Sequence, residues 1–337
     1  MASQIEALRE LAKKHPRTIV LPESLEPRIL KAADTLAGLG VAKIVLIGRE
    51  TDIKKAAAKE ALPLHGIRII DPEEHPRRGE MAEILFELRK HKGLTMEEAK
   101  KLILTDPLYF AGFLVRLGEA DGFVAGASHA TADVARAAIF CIGLDEEIGV
   151  MSSSFVVEVE NSTYGDNGLF IFGDCGIIPD PTPERLAGIA ISCSRLHRDL
   201  FSALDRERKP RVALLSYSTK GSAKSASIEK VKKALELIKR SQPDLMVDGE
   251  LQLDSAIVPE VAKIKVPKSA VAGKANVLIF PNLDAGNIAY KLAQRLAGAR
   301  VVGPLLEGIK KPASDLSRGC LVEEIIDTVV ATAVRAR

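Results

Sequence analysis

Ser317 and Arg318 stand just ahead of a helix that the apolar spacing Ile325, Ile326, Val329, Val330, Ala333 predicts from about Val322. A guanidinium and a hydroxyl at the mouth of a helix suit an anion, because the amides point outward there and the dipole is positive. The stretch carrying them, GPLLEGIKKPASDLSRGC (303–320), is rich in turn residues and cations and reads as irregular chain. Glu324 falls in the first turn of the predicted helix, off its apolar stripe. Its carboxylate suits a favourable charge at the helix N-terminus, worth ~0.3 to 1 kcal/mol, or a base beside Ser317 and Arg318. Local physics does not separate the two.

Two other loops carry anion-compatible groups after a predicted strand. In GASHATADVAR (126–136), Arg136 lies about a turn and a half of helix beyond Thr131, either turned to a ligand or solvated on the surface. His129 is a candidate base or simply a hydrogen-bonding loop residue. In STKGSAKS (218–225), hydroxyls, Lys220 and Gly221 sit where parallel sheets bind ligands, although Ser and Thr also cap helices. No Walker A pattern and no GxGxxG occurs. Asp174, Asp180, Asp248, Glu250 and Asp254 form no metal-ligand pattern, so no obligatory metal is expected. Cys320 reads as a small, inert thiol.

The elements that must position these groups follow a strand-helix rhythm. TIVLPES (18–24), KIVLIG (43–48) and IRIID (67–71) alternate with amphipathic stretches, and a helix-rich region at 95–117 leads into GFVAGA (122–127). GVMSSSFVVEVE and GLFIFGDC, joined by NSTYGDNG, read as a hairpin. RVALLSY (211–217), NVLIFP (276–281) and RVVGPL (300–305) are further strands, with helices from about Pro183, Ser222 and over 285–297 between them. The expectation is two α/β domains with mainly parallel sheets and a cleft between them. The first, discontinuous, spans 1–145 plus 302–337, and the second spans 146–301.

Composition excludes several partners. With 47 basic and 45 acidic residues no global field marks a polyanion or membrane binder, and 4% aromatic content with no Trp argues against stacking platforms for single-stranded nucleic acid. No apolar run approaches the ~20 residues needed to span a bilayer. Four scattered cysteines, without CxxC spacing or a signal peptide, point to reduced thiols in a cytoplasmic protein.

Several long segments resemble phosphate acetyltransferases of the phosphate acetyl/butyryltransferase family. They are DGELQLDSAIVPEVA (248–262), GKANVLIFPNLDAGNIAYKLAQRLAGA (273–299) and GPLLEGIKKPASDLSRGC (303–320), joined in the same order by GASHATADVAR, FGDCGIIPDP (172–181) and VALLSYSTKGSA (212–223). The resemblance implies reversible transfer of an acetyl group between acetyl phosphate and coenzyme A, with CoA a substrate and no permanently bound cofactor. It also implies a fold like isocitrate and isopropylmalate dehydrogenases and a homodimer formed through the second domain. A base takes the CoA thiol proton, the thiolate attacks the acetyl carbonyl and phosphate leaves, without an acetyl-enzyme.

Residue by residue, Ser317 matches the hydroxyl facing the carbonyl oxygen, Arg318 a phosphate-binding arginine, Arg136 a second, and Arg89 in ELRKHKG a third. Glu324 stands where the family carries the Asp base, one methylene longer; Ser314 replaces a common Asn and Ala130 a common Thr. Three other readings compete with this one. A phosphate butyryltransferase would share the chemistry with a larger acyl pocket. An NAD-dependent β-decarboxylating dehydrogenase would need a metal-binding Asp constellation and a nucleotide site. A catalytically dead CoA-binding module would follow if Glu324 failed as a base.

Overall fold

The computed structural model describes residues 3–205 and 207–336. Among the described residues the chain forms β1 (Arg17–Leu21), β2 (Ala42–Ile47), β3 (Arg68–Ile70), β4 (Gly122–Ala125), β5 (Ser152–Glu158), β6 (Leu169–Gly173), β7 (Val212–Leu215), β8 (Val247–Leu251), β9 (Val277–Ile279), β10 (Arg300–Glu307) and β11 (Ala313–Asp315). Two compact units emerge. One comprises Leu8–Leu144 and the chain from Ile309 onward, the other Asp145–Gly308 with the segment up to Ala7.

The first unit has strands in the order β3-β2-β1-β4-β11, every neighbouring pair parallel. RTIVL and AKIVLI are nearly continuous apolar runs, as strands covered on both faces require. Helix Pro27–Leu39 crosses from β1 to β2. It starts because Glu26 accepts hydrogen bonds from the amides of Arg28 and Ile29 with Pro27 at the first helical position, and stops at Gly40 in the left-handed region. The final helix Val322–Arg335 packs on it and on β1 and β4, burying Ile325, Ile326, Val329 and Val330. Strand order reverses between β1 and β4, so the loops leaving these strands diverge and open a crevice at their carboxyl ends.

The stretch 304–320, expected to be irregular, contains the second half of β10 and all of β11. ASD carries no strand signature of its own. Its strand state comes from β4, with Ala313, Ser314 and Asp315 paired to Phe123, Val124 and Ala125. Ser314 is fully buried, its hydroxyl 2.7 Å from that of Thr332, so tertiary pairing overrides the turn-rich composition.

In the second unit the order is β10-β5-β6-β9-β7-β8. β5 and β6 form the antiparallel hairpin that NSTYGDNG foretells, and β6, β9, β7 and β8 are parallel. β10, assigned from the sequence to the first domain from Val302 onward, is paired with β5 from Arg300 to Glu307. Phe155, Phe170, Phe172 and Phe280 centre the core of this unit. No helix among the described residues is long and apolar enough to cross a membrane.

Candidate active site

Three turns leave the carboxyl ends of neighbouring parallel strands in the first unit: 22–26 after β1, 126–130 after β4 and 316–321 after β11. Glu23 organises the middle turn. Its buried carboxylate accepts from the amides of Gly126 (2.9 Å), Ala127 (2.8 Å), Ser128 (2.7 Å) and His129 (2.9 Å), from Ser128 Oγ (2.9 Å) and from His129 Nδ1 (2.8 Å). Burial raises its pKa, but the bonds from His129 and the loop amides outweigh it and hold the carboxyl below its usual range. Gly126 has φ +115°, and a Cβ there would lie 2.2 Å from Asp315 Oδ1. Only glycine lets these two turns touch.

Arg28 binds the turns together. Its Nη2 donates to the Ala127 carbonyl at 3.0 Å and its Nη1 to the carbonyls of Arg318 and Cys320, both at 2.9 Å, while Nε pairs with Glu26 at 2.8 Å. Nothing local in the sequence marks this residue, because its role depends on two loops about 100 and 290 positions away. Thr131 Oγ1 adds a second tie, donating to Asp315 Oδ2 at 2.6 Å.

Within the last turn, Ser317 and Arg318 are exposed. Ser317 Oγ accepts from the Gly319 amide at 3.3 Å. Glu324 is half-buried and accepts from the Leu321 amide at 2.9 Å, so its carboxylate caps the final helix as well as standing seven residues after Ser317. The Cys320 thiol is pushed up to about 11, first by burial, with Arg28 opposing and Glu324 adding to the rise. It is a protonated, poorly nucleophilic thiol at neutral pH. Asp315 is raised to about 7 by burial and the charge of Glu23, against the Thr131 hydroxyl, the Leu316 amide and Arg318.

Arg89 and Arg136 both act on Tyr109. Its hydroxyl is raised to about 12 by burial, with both guanidinium charges pulling the other way. Arg89 ends helix Arg78–Arg89 and lies 3.7 Å from the centroid of Phe140, whose ring packs edge-on to Tyr109. Arg136 is half-exposed in helix Thr131–Ala137 and pairs with Asp133 at 2.8 Å. Thus Arg89 and Arg136 share one neighbourhood and Ser317, Arg318 and Glu324 another. The Thr131 to Asp315 bond connects the helix of Arg136 to the strand leading into Ser317.

The anion-compatible STKGSAKS loop, in the other unit, is neutralised from within. Lys220 is bound by Asp248 and by the Gly249 carbonyl (2.7 Å), and Ser218 Oγ and the Gly221 amide both donate to Glu250, at 2.9 and 2.7 Å. Asp174 likewise accepts from the amides of Ser153, Gly176 and Ile178. In the first unit, a cavity of about 350 Å³ lined by Glu23, Leu25, Gly48, Leu104, Pro107 and Ser128 opens beside the middle turn.

The serine, arginine and carboxylate at 317, 318 and 324 are groups suited to binding a phosphate and handling protons next to it. Residues 3–333 match the family model described as "Phosphate acetyl/butaryl transferase". The chain belongs to this family. Within it, the chain is 49% identical over 335 residues to a phosphate acetyltransferase of Acetivibrio thermocellus, covering 99% of this chain and 98% of the relative. It is 47% identical over 335 residues to one of Thermoanaerobacterium thermosaccharolyticum, covering 99% and 100%. Among solved structures, a phosphotransacetylase from Streptococcus pyogenes superposes with a TM-score of 0.90 at 39% identity, over 100% of this chain and 99% of that one.

Proposed function

We propose that the chain is a phosphate acetyltransferase, moving an acetyl group reversibly between acetyl phosphate and coenzyme A to give acetyl-CoA and phosphate. The observation that carries this reading is the end-to-end relationship to enzymes named for that reaction, together with Ser317 and Arg318 held on the turn that Arg28 fixes. Coenzyme A and acetyl phosphate are both substrates, and no resident cofactor is invoked.

In this reading Arg318, Arg136 and Arg89 hold the phosphoryl oxygens, a task suited to a planar, permanently charged donor fork. Ser317 Oγ donates to the acetyl carbonyl oxygen as negative charge develops, a contribution worth ~3 kcal/mol for one preorganised donor. A thiol of pKa ~8.5 is only a few per cent ionised at pH 7, so Glu324 takes the CoA proton as sulfur attacks the carbonyl carbon. Phosphate then leaves with the carbon–oxygen bond pair. The raised pKa of the buried Cys320 thiol favours direct attack by CoA over an acetyl-enzyme on this cysteine.

Homodimerisation through the second unit belongs to the same reading. Helix Leu283–Leu296 presents Ile288, Leu292 and Leu296 to solvent at 58%, 50% and 80% exposure, one apolar face at four-residue spacing. A second copy of the chain is the proposed cover.

Purified protein given acetyl phosphate and CoA should form the thioester, and formation should reverse with acetyl-CoA and phosphate. Acetyl, propionyl and butyryl phosphates compared side by side should favour acetyl. A roughly tenfold preference for butyryl, the scale of a methylene-sized pocket difference, would move the assignment to the butyryl branch.

A further inference from the structure

Acetyl transfer from phosphate to a thiol moves a proton as well as an acyl group: sulfur gives one up and the departing phosphate oxygen needs one. Glu324 can serve the sulfur end. The phosphate end also needs a proton carrier, and the turn after β4 contains an imidazole held for such work. His129 Nδ1 lies 2.8 Å from Glu23 Oε1, and that carboxylate is buried beneath the loop with four main-chain amides on it.

The environment fixes the imidazole's chemistry. An ionised carboxylate only accepts, so Nδ1 must donate, and Nε2 is the nitrogen left to take up or give a proton. Glu23 is held in that ionised form by the loop amides. Among the described residues Nε2 has no hydrogen-bond partner, and the ring is one-third exposed. A buried carboxylate that orients an imidazole and leaves its far nitrogen open is the arrangement by which serine hydrolases shuttle a proton.

Position agrees with chemistry. Two residues before His129, Ala127 is joined through Arg28 to the carbonyls of Arg318 and Cys320; two residues after it, Thr131 is bonded to Asp315. The turn 127–131 is therefore tied to 315–320 at both ends, with His129 between the two ties. Glu23 from the β1 turn bonds its ring, and the charged residues at the two ties are Arg28 from helix Pro27–Leu39, Asp315 at the end of β11 and Arg318 in the turn after it.

We propose that His129, oriented by Glu23, is the proton carrier at the phosphate end of the reaction. This rests on the acetyltransferase reading. Towards acetyl-CoA, the thiol S–H bond breaks and its proton passes to Glu324, while sulfur keeps the electron pair and forms the bond to the carbonyl carbon. The carbon–oxygen bond to phosphate breaks, its pair goes to the phosphate oxygen, and Nε2–H of the imidazolium delivers a proton there. Hydrogen phosphate leaves, and exchange with solvent resets both groups. In the opposite direction neutral Nε2 takes the proton from attacking phosphate.

The test compares His129→Asn and His129→Gln with the wild type in steady-state assays across pH. The Asn amide reaches the place of Nδ1 and keeps the bond to Glu23 without a group at Nε2; the Gln amide reaches the place of Nε2 but cannot titrate. Both should keep the thermal midpoint within a few degrees, lower kcat for acetyl-CoA formation by roughly 100-fold, and lack the alkaline fall in rate that the proposal expects of the wild type. Wild-type rates with either variant, or lowered rates with the alkaline limb intact in both, would overturn the proposal. If Asn unfolds the turn, the Gln profile alone decides. A wild type unable to form acetyl-CoA would instead remove the underlying reading, an outcome distinct from an active enzyme indifferent to His129.

Discussion

Arg28 holds the main chain at Cys320: its Nη1 donates to the Cys320 carbonyl oxygen at 2.9 Å, and the same nitrogen reaches the Arg318 carbonyl at 2.9 Å. One side chain from the first helix after β1 thus sets the path of the turn that presents Ser317 and Arg318. Arg28→Lys keeps the charge but offers a single point donor in place of a fork that serves Ala127, Arg318 and Cys320 together. Because displacements near 1 Å at a reacting centre cost on the order of 100-fold, Arg28→Lys should lower kcat/KM by roughly 10- to 100-fold. Far-ultraviolet dichroism should stay unchanged, and steady-state kinetics with either substrate varied reads the loss. Undiminished kcat/KM would show that the turn holds its shape without the fork.

Glu324→Gln separates two roles of one carboxylate. Glutamine at this position can still accept from the Leu321 amide, so the cap and the thermal midpoint should survive. Loss of the basic oxygen should lower kcat by roughly 10²- to 10⁴-fold at pH 7. Glu324→Asp, one methylene shorter, should retain most of the activity. Full activity of the Gln variant at pH 7 would reduce Glu324 to a helix cap.

The parts of the site that were legible in the sequence are those carried by one continuous segment. Ser317, Arg318 and Glu324 lie within eight residues, and the apolar stripe after them marks the helix they precede. The parallel strands β1, β2 and β4 announced themselves as β-branched runs. Arg28 and Glu23 were hidden because their partners lie about 100 and 290 positions away and nothing local distinguishes them from surface charges. STKGSAKS misled for the same reason in reverse: its cation and amides look available until Asp248 and Glu250 arrive from β8, a strand whose sequence, VDGEL, has no strand pattern. Composition sees which groups are present, and only the fold shows which are already paired.

Leu292→Glu tests the apolar face of helix Leu283–Leu296. In an interface, the introduced carboxylate would be desolvated without a partner, and the burial of a leucine, ~1.5 to 3 kcal/mol for each copy, would be lost. Light scattering coupled to size exclusion should show the wild type near twice the 36.3 kDa chain mass and the variant shifted to the single-chain mass at micromolar concentration. An unshifted dimer would place the contact elsewhere on the surface.

Asp315 links the site to the pH dependence of folding. Burial lifts its pKa from 3.8 to about 7, so the folded state binds the proton more tightly than the unfolded state does. Its contribution is therefore fully present below about pH 4 and is lost progressively as pH rises through 7, at most about 1.4 kcal/mol per pH unit and on the order of 4 kcal/mol in all. Asp315→Asn stays neutral throughout, and its amide oxygen can still accept from Thr131. Denaturant unfolding of both proteins at pH 5, 6, 7 and 8 should show the wild type losing stability relative to the variant up to pH 7 and levelling off above it. Parallel stability curves would mean that Asp315 ionises in the folded protein as it does in the unfolded chain. The expected divergence would instead show that Glu23, already ionised beneath the neighbouring turn, and the surrounding core together keep a second carboxylate protonated three residues before Arg318.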